Sequence, residues 1–268
     1  MKSTVIYTIA NQKGGVGKSS TVLNLGYALS RNGAKVLLID LDPQASLSVC
    51  FGVVNHEKEK NTAVRLFENV LSEKLEQEDI FSCIHSHATN ENINIIPCNI
   101  GLAQIEDRLR NEVGSEMTLS EILRPLIGKY DYIIYDTSPS LGLLLINALS
   151  TSDGVIITVS PQFLSALGLE ALIKTINKTR KRVNARLEIL GILLTMCDPR
   201  TNLYKDIREA LEVFYSEHLS IFKTYIPYST KVGEANLNKQ SIIEFSPDNK
   251  AGQAYMALAL ELKNKLHR

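Results

Sequence analysis

Ile9 to Thr21 reads I-A-N-Q-K-G-G-V-G-K-S-S-T. The β-branched run Thr4 to Ile9 just before it has the character of a buried strand. After it, Val22, Leu25, Gly26 and Leu29 fall at helical spacing as far as Arg31. Strand, glycine-rich turn and helix form the frame of a phosphate-binding loop. Glycines let successive backbone N–H groups curl around phosphate oxygens, and the helix turns its positive dipole end toward them. Gly14, Gly15, Val16 and Gly17 supply that cradle, with Ser20 behind it. Lys18 is placed to reach the β- and γ-phosphates, and the Ser19 hydroxyl to sit on Mg²⁺. The ordinary pattern G-x-x-x-x-G-K-[ST] is broken, because Gln12 stands at its first glycine and a second lysine, Lys13, at the mouth. A turn with no ligand has no use for two lysines and a Ser-Ser-Thr run.

Further along, K-V-L-L-I-D (Lys35 to Asp40) reads as a second strand, ending in D-L-D-P-Q. Carboxylates at i and i+2 point to the same side as the strand leaves the sheet. In an open α/β sheet the carboxyl edge is where ligands bind. Asp40 and Asp42 are therefore expected to converge on the metal and the attacking water. Y-D-Y-I-I-Y-D, Tyr130 to Asp136, is a third apolar strand ending in an acid, and Asp136 is expected on the Mg²⁺ side of the phosphates. The turn after it, Thr137-Ser138-Pro139-Ser140-Leu141-Gly142, suits a switch that senses the γ-phosphate.

Strands are also expected over Ile93 to Pro97, Gly154 to Val159, Leu187 to Thr195 and Phe222 to Ile226. Helices are expected near Ala63 to Leu71, Ile100 to Glu112, Leu119 to Ile127, Leu144 to Leu149 and Leu164 to Thr179. Thr118 and Glu121 read as a capping box. Glu57 to Lys60 is a solvated charged stretch. Between Lys174 and Arg186, Lys174, Lys178, Arg180, Lys181, Arg182 and Arg186 occur with no acid among them. One or two such charges suit a helix C-terminus, and the excess suits a polyanion. Lys250 to Leu266 carries an alanine-rich apolar stripe, better suited to packing on the sheet than to a membrane surface.

The chain has 268 residues, 44% of them hydrophobic, with a formal net charge of zero. That is enough for one large α/β domain spanning residues 1–268, and it limits nucleic-acid binding to a local patch. Cys50, Cys83, Cys98 and Cys197 are widely spaced, as in reduced cytosolic thiols. Cys83, His85 and His87 are expected in a solvated loop, not at a metal. No signal peptide or membrane span is expected.

N-Q-K-G-G-V-G-K-S-S-T, V-L-L-I-D-L-D-P-Q, I-I-Y-D-T-S-P-S-L-G, I-N-A-L and L-T-M-C-D-P-R-T-N follow one another in an order that resembles the ParA/MinD family of ATPases, with its deviant Walker A loop. The resemblance runs nearly end to end and is strongest to short ParA proteins of the Soj type. It implies a P-loop fold with a doubly wound, mostly parallel sheet flanked by helices. It also implies ATP and Mg²⁺ as cofactors and a homodimer sandwiched around ATP. The dimer binds nonspecific double-stranded DNA until a ParB-type partner stimulates hydrolysis. The implied location is cytoplasmic, on the nucleoid.

Residue by residue, Lys13 matches the lysine that reaches the partner's phosphates and Lys18 the cis phosphate lysine. Ser19 matches the Mg²⁺ hydroxyl, Asp42 the residue of hydrolysis, Asp40 its neighbour near the metal, and Asp136 the Walker B acid. Met196, Asp198 and Pro227 match the adenine-side loops. Arg200 and Lys231 fall where Soj-like proteins place DNA-binding cations, and Lys178, Arg180, Lys181 and Arg182 are further candidates. Ser138 stands where a second proline is common. The alternatives are a MinD-like membrane ATPase, which the tail does not suit, and an ATPase that positions protein cargo. An iron–sulfur reductase of the nitrogenase type would need a second cluster cysteine beside Cys98. With the loop starting at residue 11, no DNA-reading domain is expected ahead of it.

Overall fold

In strand β1 (Val5–Ala10), Tyr7 and Ile9 enter one hydrophobic cluster and Ile6 the opposite one. The same alternation runs through β2 (Val36–Leu41), where Leu38 faces one side and Leu37 and Ile39 the other. Side chains alternate with a period of two, so strands apolar on both faces need cover on both sides. The computed structural model describes residues 4–53, 57–161, 169–215 and 219–266 and shows that cover.

The other strands are β3 (His85–Ser86), β4 (Ile93–Ile96), β5 (Tyr132–Thr137), β6 (Gly154–Val159) and β7 (Glu188–Leu194). They form one sheet in the order β3-β4-β2-β5-β1-β6-β7, parallel except for the short edge strand β3. The helices are α1 (Lys18–Arg31), α2 (Ser46–Phe51), α3 (Ala63–Leu71), α4 (Gln77–Ser82), α5 (Leu102–Leu109), α6 (Thr118–Leu123) and α7 (Leu143–Thr151). They continue with α8 (Leu169–Arg182), α9 (Asn202–Tyr215), α10 (Thr230–Leu237), α11 (Ile242–Phe245) and α12 (Lys250–Leu266). One face of the sheet is covered by α1, α2, α11 and α12, the other by α3, α5, α6, α7, α8 and α9.

Helix α1 lies close on the sheet because Gly26 has no side chain. A Cβ there would stand 2.7 Å from Leu38 Cδ2 and 3.2 Å from Ile93 Cδ1. Helix α12 buries Ala251, Tyr255, Leu258, Ala259 and Leu262, so its stripe packs as the sequence suggests.

Three local expectations change. Residues 222–226 form no regular strand. They line β7 through single bonds, Phe222 N–H to Ile192 O at 2.9 Å and Ile226 N–H to Leu194 O at 2.8 Å, with isolated bridges on either side. Thr118 does not cap α6, because its hydroxyl donates back to Ser115 O while Met117 holds the cap position. The capping box sits instead on α4, between Glu76 and Asp79. Cys83 and His87 are buried, Cys83 in the cluster with Phe67 and Ile80 and His87 with ring-edge contacts to Tyr27 and Phe51, so both belong to the core and not to a solvated loop. The start expected for the helix at Leu164 lies outside the described residues.

Candidate nucleotide site

Strand β1 lies between β5 and β6, and the chain builds outward from it on both sides. The loop leaving its carboxyl end therefore opens at the switch point of the sheet, where crossovers diverge and leave a crevice. Gly15 and Gly17 adopt φ of +71° and +78°, a left-handed backbone that suits glycine. Gly17 caps α1 with no side-chain hydrogen bond, and the first turn of α1 holds no acid. The N–H groups of that turn are thus left for an anion.

Three side chains shape the loop from a distance. Asn11 donates to Thr158 O on β6 and accepts the Lys13 N–H at 2.8 Å. Thr195, just beyond β7, donates to Val16 O at 2.8 Å. Lys18 folds back on its own loop, its Nζ donating to Lys13 O at 3.1 Å. Lys18 is buried, and burial lowers its pKa while the charges of Asp136 and Asp42 pull it back up. Lys13 is half-buried, and Ser19 and Ser20 line the start of α1.

Asp40 and Asp136 face each other in register on neighbouring strands, and both are fully buried. Burial, then the Asp40 charge, pushes the Asp136 pKa well above the carboxylate range; the Ser19 hydroxyl and the Lys18 ammonium act the other way. Among the described residues, neither Asp136 oxygen has a hydrogen-bond partner. A buried carboxylate left this way is costly, and a divalent cation beside Ser19 would satisfy it. The donor set is all hard oxygen, so the residues present fit Mg²⁺.

Asp40, opposite Asp136, is also tied into its own turn. Its Oδ2 accepts from Ser48 N–H at 2.9 Å and Ser48 Oγ at 2.7 Å, and its Oδ1 from Asp42 N–H at 3.1 Å. Burial still pushes its pKa up to about 6, against those bonds. With both oxygens engaged by the chain, Asp40 holds the turn. Asp42, nearly buried, accepts the Gln44 N–H on Oδ1 at 3.0 Å.

A cavity of about 410 Å³ opens beside Gly17 and Ser20, lined by Met196, Pro227, Tyr228 and Tyr255 among others. Its two walls are paired by Cys197 N–H to Ile226 O and Tyr228 N–H to Cys197 O, both at 2.9 Å. Met196 and Pro227 are thus together on the side expected for the base. Asp198 is not part of that lining. It forms a two-point ion pair with Arg200, at 2.9 and 2.8 Å, whose hydrogen bonds hold its carboxyl below the usual range.

The expected cations do not form one patch. Arg200 and Lys231 follow the carboxyl ends of β7 and its irregular neighbour, on the loop's edge of the sheet. Lys178, Arg180, Lys181 and Arg182 are exposed at the end of α8, just before β7 begins, and so at the opposite edge. The two groups are about one strand length apart, ~20 Å. Sequence reading missed Asn11, Ser48, Cys98, Thr195 and Tyr228. Asn11 and Thr195 lie inside quoted motifs, but nothing in the spacing marks what any of the five does.

A family model described as an AAA domain matches residues 4–189. The sporulation initiation inhibitor protein Soj of Bacillus subtilis is 37% identical over 257 residues, 96% of this chain and 97% of its own. The chain belongs to the ParA/MinD family of P-loop ATPases. The chromosome partitioning protein ParA of Myxococcus xanthus is 33% identical over 97% of this chain and 88% of its own. Among solved structures, cobyrinic acid a,c-diamide synthase of Mycobacterium smegmatis, with bound ATP analogue and magnesium, superimposes with a TM-score of 0.83. It is 30% identical, over 98% of this chain and 96% of that one. The doubly wound, mostly parallel sheet of the ParA/MinD family is the sheet described above.

Proposed function

We propose that this chain is a Mg²⁺-dependent ATPase of the partition type. In this reading it works as one domain over residues 1–268, in the cytoplasm and on the nucleoid. It closes as a homodimer around ATP, binds double-stranded DNA without sequence preference, and turns over slowly until a ParB-type protein stimulates it. The observation that carries the reading is the buried, unpartnered Asp136 beside Lys18 under the phosphate cradle. Similarity to Soj and ParA over nearly the whole chain supports the partition role.

The chain's own groups divide the work. The N–H groups from Gly14 to Ser20, with Lys18, hold the β- and γ-phosphates, and Met196 and Pro227 flank the base. Ser19 and Asp136 hold Mg²⁺, which when bound supplies positive charge to the phosphates. Lys13 reaches the partner's nucleotide. Asp42 orients the attacking water. Among the described residues no stronger base adjoins it, hence slow basal turnover. Arg200 and Lys231 meet DNA on the nucleotide edge, with Asp198 tempering Arg200. Burial of the α12 stripe against α1 favours DNA over a membrane, and no described helix is long and apolar enough to cross one.

The test is binding to a random-sequence duplex with ATP, ADP or no nucleotide, across a salt series, with molecular size followed in parallel. Binding only by the ATP dimer, weakening steeply with salt, is the expected result. Equal affinity with ADP and ATP would overturn it.

A further inference from the structure

Asp42 is gripped from both sides of its backbone, by Asp40 of its own motif and by Cys98 from outside the nucleotide motifs. Its N–H donates to Asp40, and its carbonyl accepts the Cys98 thiol. Asp40 is held in turn by Ser48, through both the backbone N–H and the hydroxyl. Ser48 Oγ accepts the Cys98 N–H at 3.0 Å. The bonds therefore close a ring: Cys98 N–H to Ser48, Ser48 O–H to Asp40, Asp42 N–H to Asp40, and Cys98 S–H back to the Asp42 carbonyl. Asp40, Ser48 and Cys98 are fully buried and Asp42 is 9% exposed. Three separate segments meet here: the end of β2, the body of α2 and the residues after β4.

The residue types are specific to the task. Only a hydroxyl can donate to Asp40 while accepting from Cys98 with one atom, so serine or threonine fits at position 48. Cys98 needs a side-chain donor small enough for a closed pocket. Breaking either link leaves a buried group without its partner and frees one side of the Asp42 peptide.

We propose that Ser48 and Cys98 are positioning residues that fix Asp42 through this ring. The proposal rests on the ATPase reading above, in which Asp42 orients water. Misplacing a reacting group by about 1 Å costs on the order of a hundredfold in rate, with no comparable loss of ground-state binding. Ser48 and Cys98 thus act on kcat and leave the affinity for ATP to the phosphate loop.

The experiment uses the full chain and the variants Ser48→Ala, Ser48→Thr, Cys98→Ala and Cys98→Ser. It measures steady-state hydrolysis, ATP affinity, and amide exchange at Asp42 and Gln44 without nucleotide. The alanine variants should lose about tenfold or more in kcat, with ATP affinity held within about twofold. Their Asp42 amide should exchange about tenfold faster, and Ser48→Thr and Cys98→Ser should restore both readouts. Unchanged exchange at Asp42, unchanged kcat, or affinity falling in step with kcat would each overturn the proposal. A wild-type chain that binds ATP but never hydrolyses it would instead overturn the ATPase reading, and the exchange arm would still decide whether the ring holds Asp42.

Discussion

Replacing Asp136 with asparagine should stabilise the nucleotide-free protein, although in the proposed reading it removes a Mg²⁺ ligand. Asp136 and Asp40 are register partners with no solvent access. Neighbouring strands run about 4.8 Å apart, so two charges there repel by about 3 kcal/mol at an effective dielectric of about 20. Lys18 offsets less than that at Asp136, so the burial of the carboxylate itself stays uncompensated. That burial costs several kcal/mol, against about 1–3 kcal/mol for a buried amide. The balance favours Asp136→Asn by about 1–2 kcal/mol, a rise in Tm of about 4 °C for a chain of this size.

The effect has a sign in pH. The folded-state pKa of Asp136 is raised, so the carboxyl binds its proton more tightly folded than unfolded. Its contribution to stability is full below the unfolded pKa of about 4 and is lost as pH rises through the raised folded value. The advantage of the variant is therefore largest in alkali and fades in acid. Thermal melts from about pH 5 to about pH 9 without nucleotide would show this. Adding ATP and Mg²⁺ should reverse the order, because only the wild type gains the full linkage stabilisation. A variant less stable than wild type at neutral pH without nucleotide, or a gain independent of pH, would refute the reasoning.

Other sites give independent checks. Gly26→Val should cost about 2–3 kcal/mol in chemical denaturation, since the new side chain meets Leu38 and Ile93; an unchanged midpoint would mean that α1 does not sit so close. Thr195→Val keeps the shape but removes the bond to Val16 O, so ATP should bind about fivefold more weakly in calorimetry, about 1 kcal/mol. Lys231→Glu should abolish only the ATP-linked part of DNA binding, whereas Lys181→Glu, at the far edge, should lower binding equally with ADP and ATP. Asp42→Ala should leave an ATP-bound dimer that does not hydrolyse, and sizing in ATP would expose a monomer if that role is misassigned.

What was legible in the sequence was contiguous. The phosphate loop, the two acid-ended strands and most element positions follow from local spacing, because glycine conformation, strand alternation and helix period are fixed by neighbours along the chain. The strand expected at Phe222 fails because its pairing is decided by β7, which lies elsewhere in sequence. The capping box at Thr118 fails for a related reason: Ser115 O, made available by the preceding turn, competes for the same hydroxyl. His87 was read as solvated because a histidine in a polar stretch gives no hint that Tyr27 and Phe51 will enclose it.

The same distinction separates residues that do chemistry from those that aim it. Lys18, Ser19 and Asp136 advertise themselves, since phosphate and metal chemistry demands their types at the end of a strand or the start of a helix. Thr195 acts on Val16 across 179 positions, Asn11 on Thr158 across 147, and Cys98 on Asp42 across 56. A serine, threonine, asparagine or cysteine used in this way has no required spacing, so the fold alone reveals it. Asp40 shows the limit from the other side. Its motif points to the metal, and nothing in that motif tells that its oxygens also accept from Ser48 and Asp42. A carboxylate so committed can transmit strain from α2 and the segment after β4 to Asp42, but it has little freedom to follow a nucleotide. The carboxylate with unfilled oxygens is Asp136, and in the proposed reading the cation that accompanies the nucleotide compensates it.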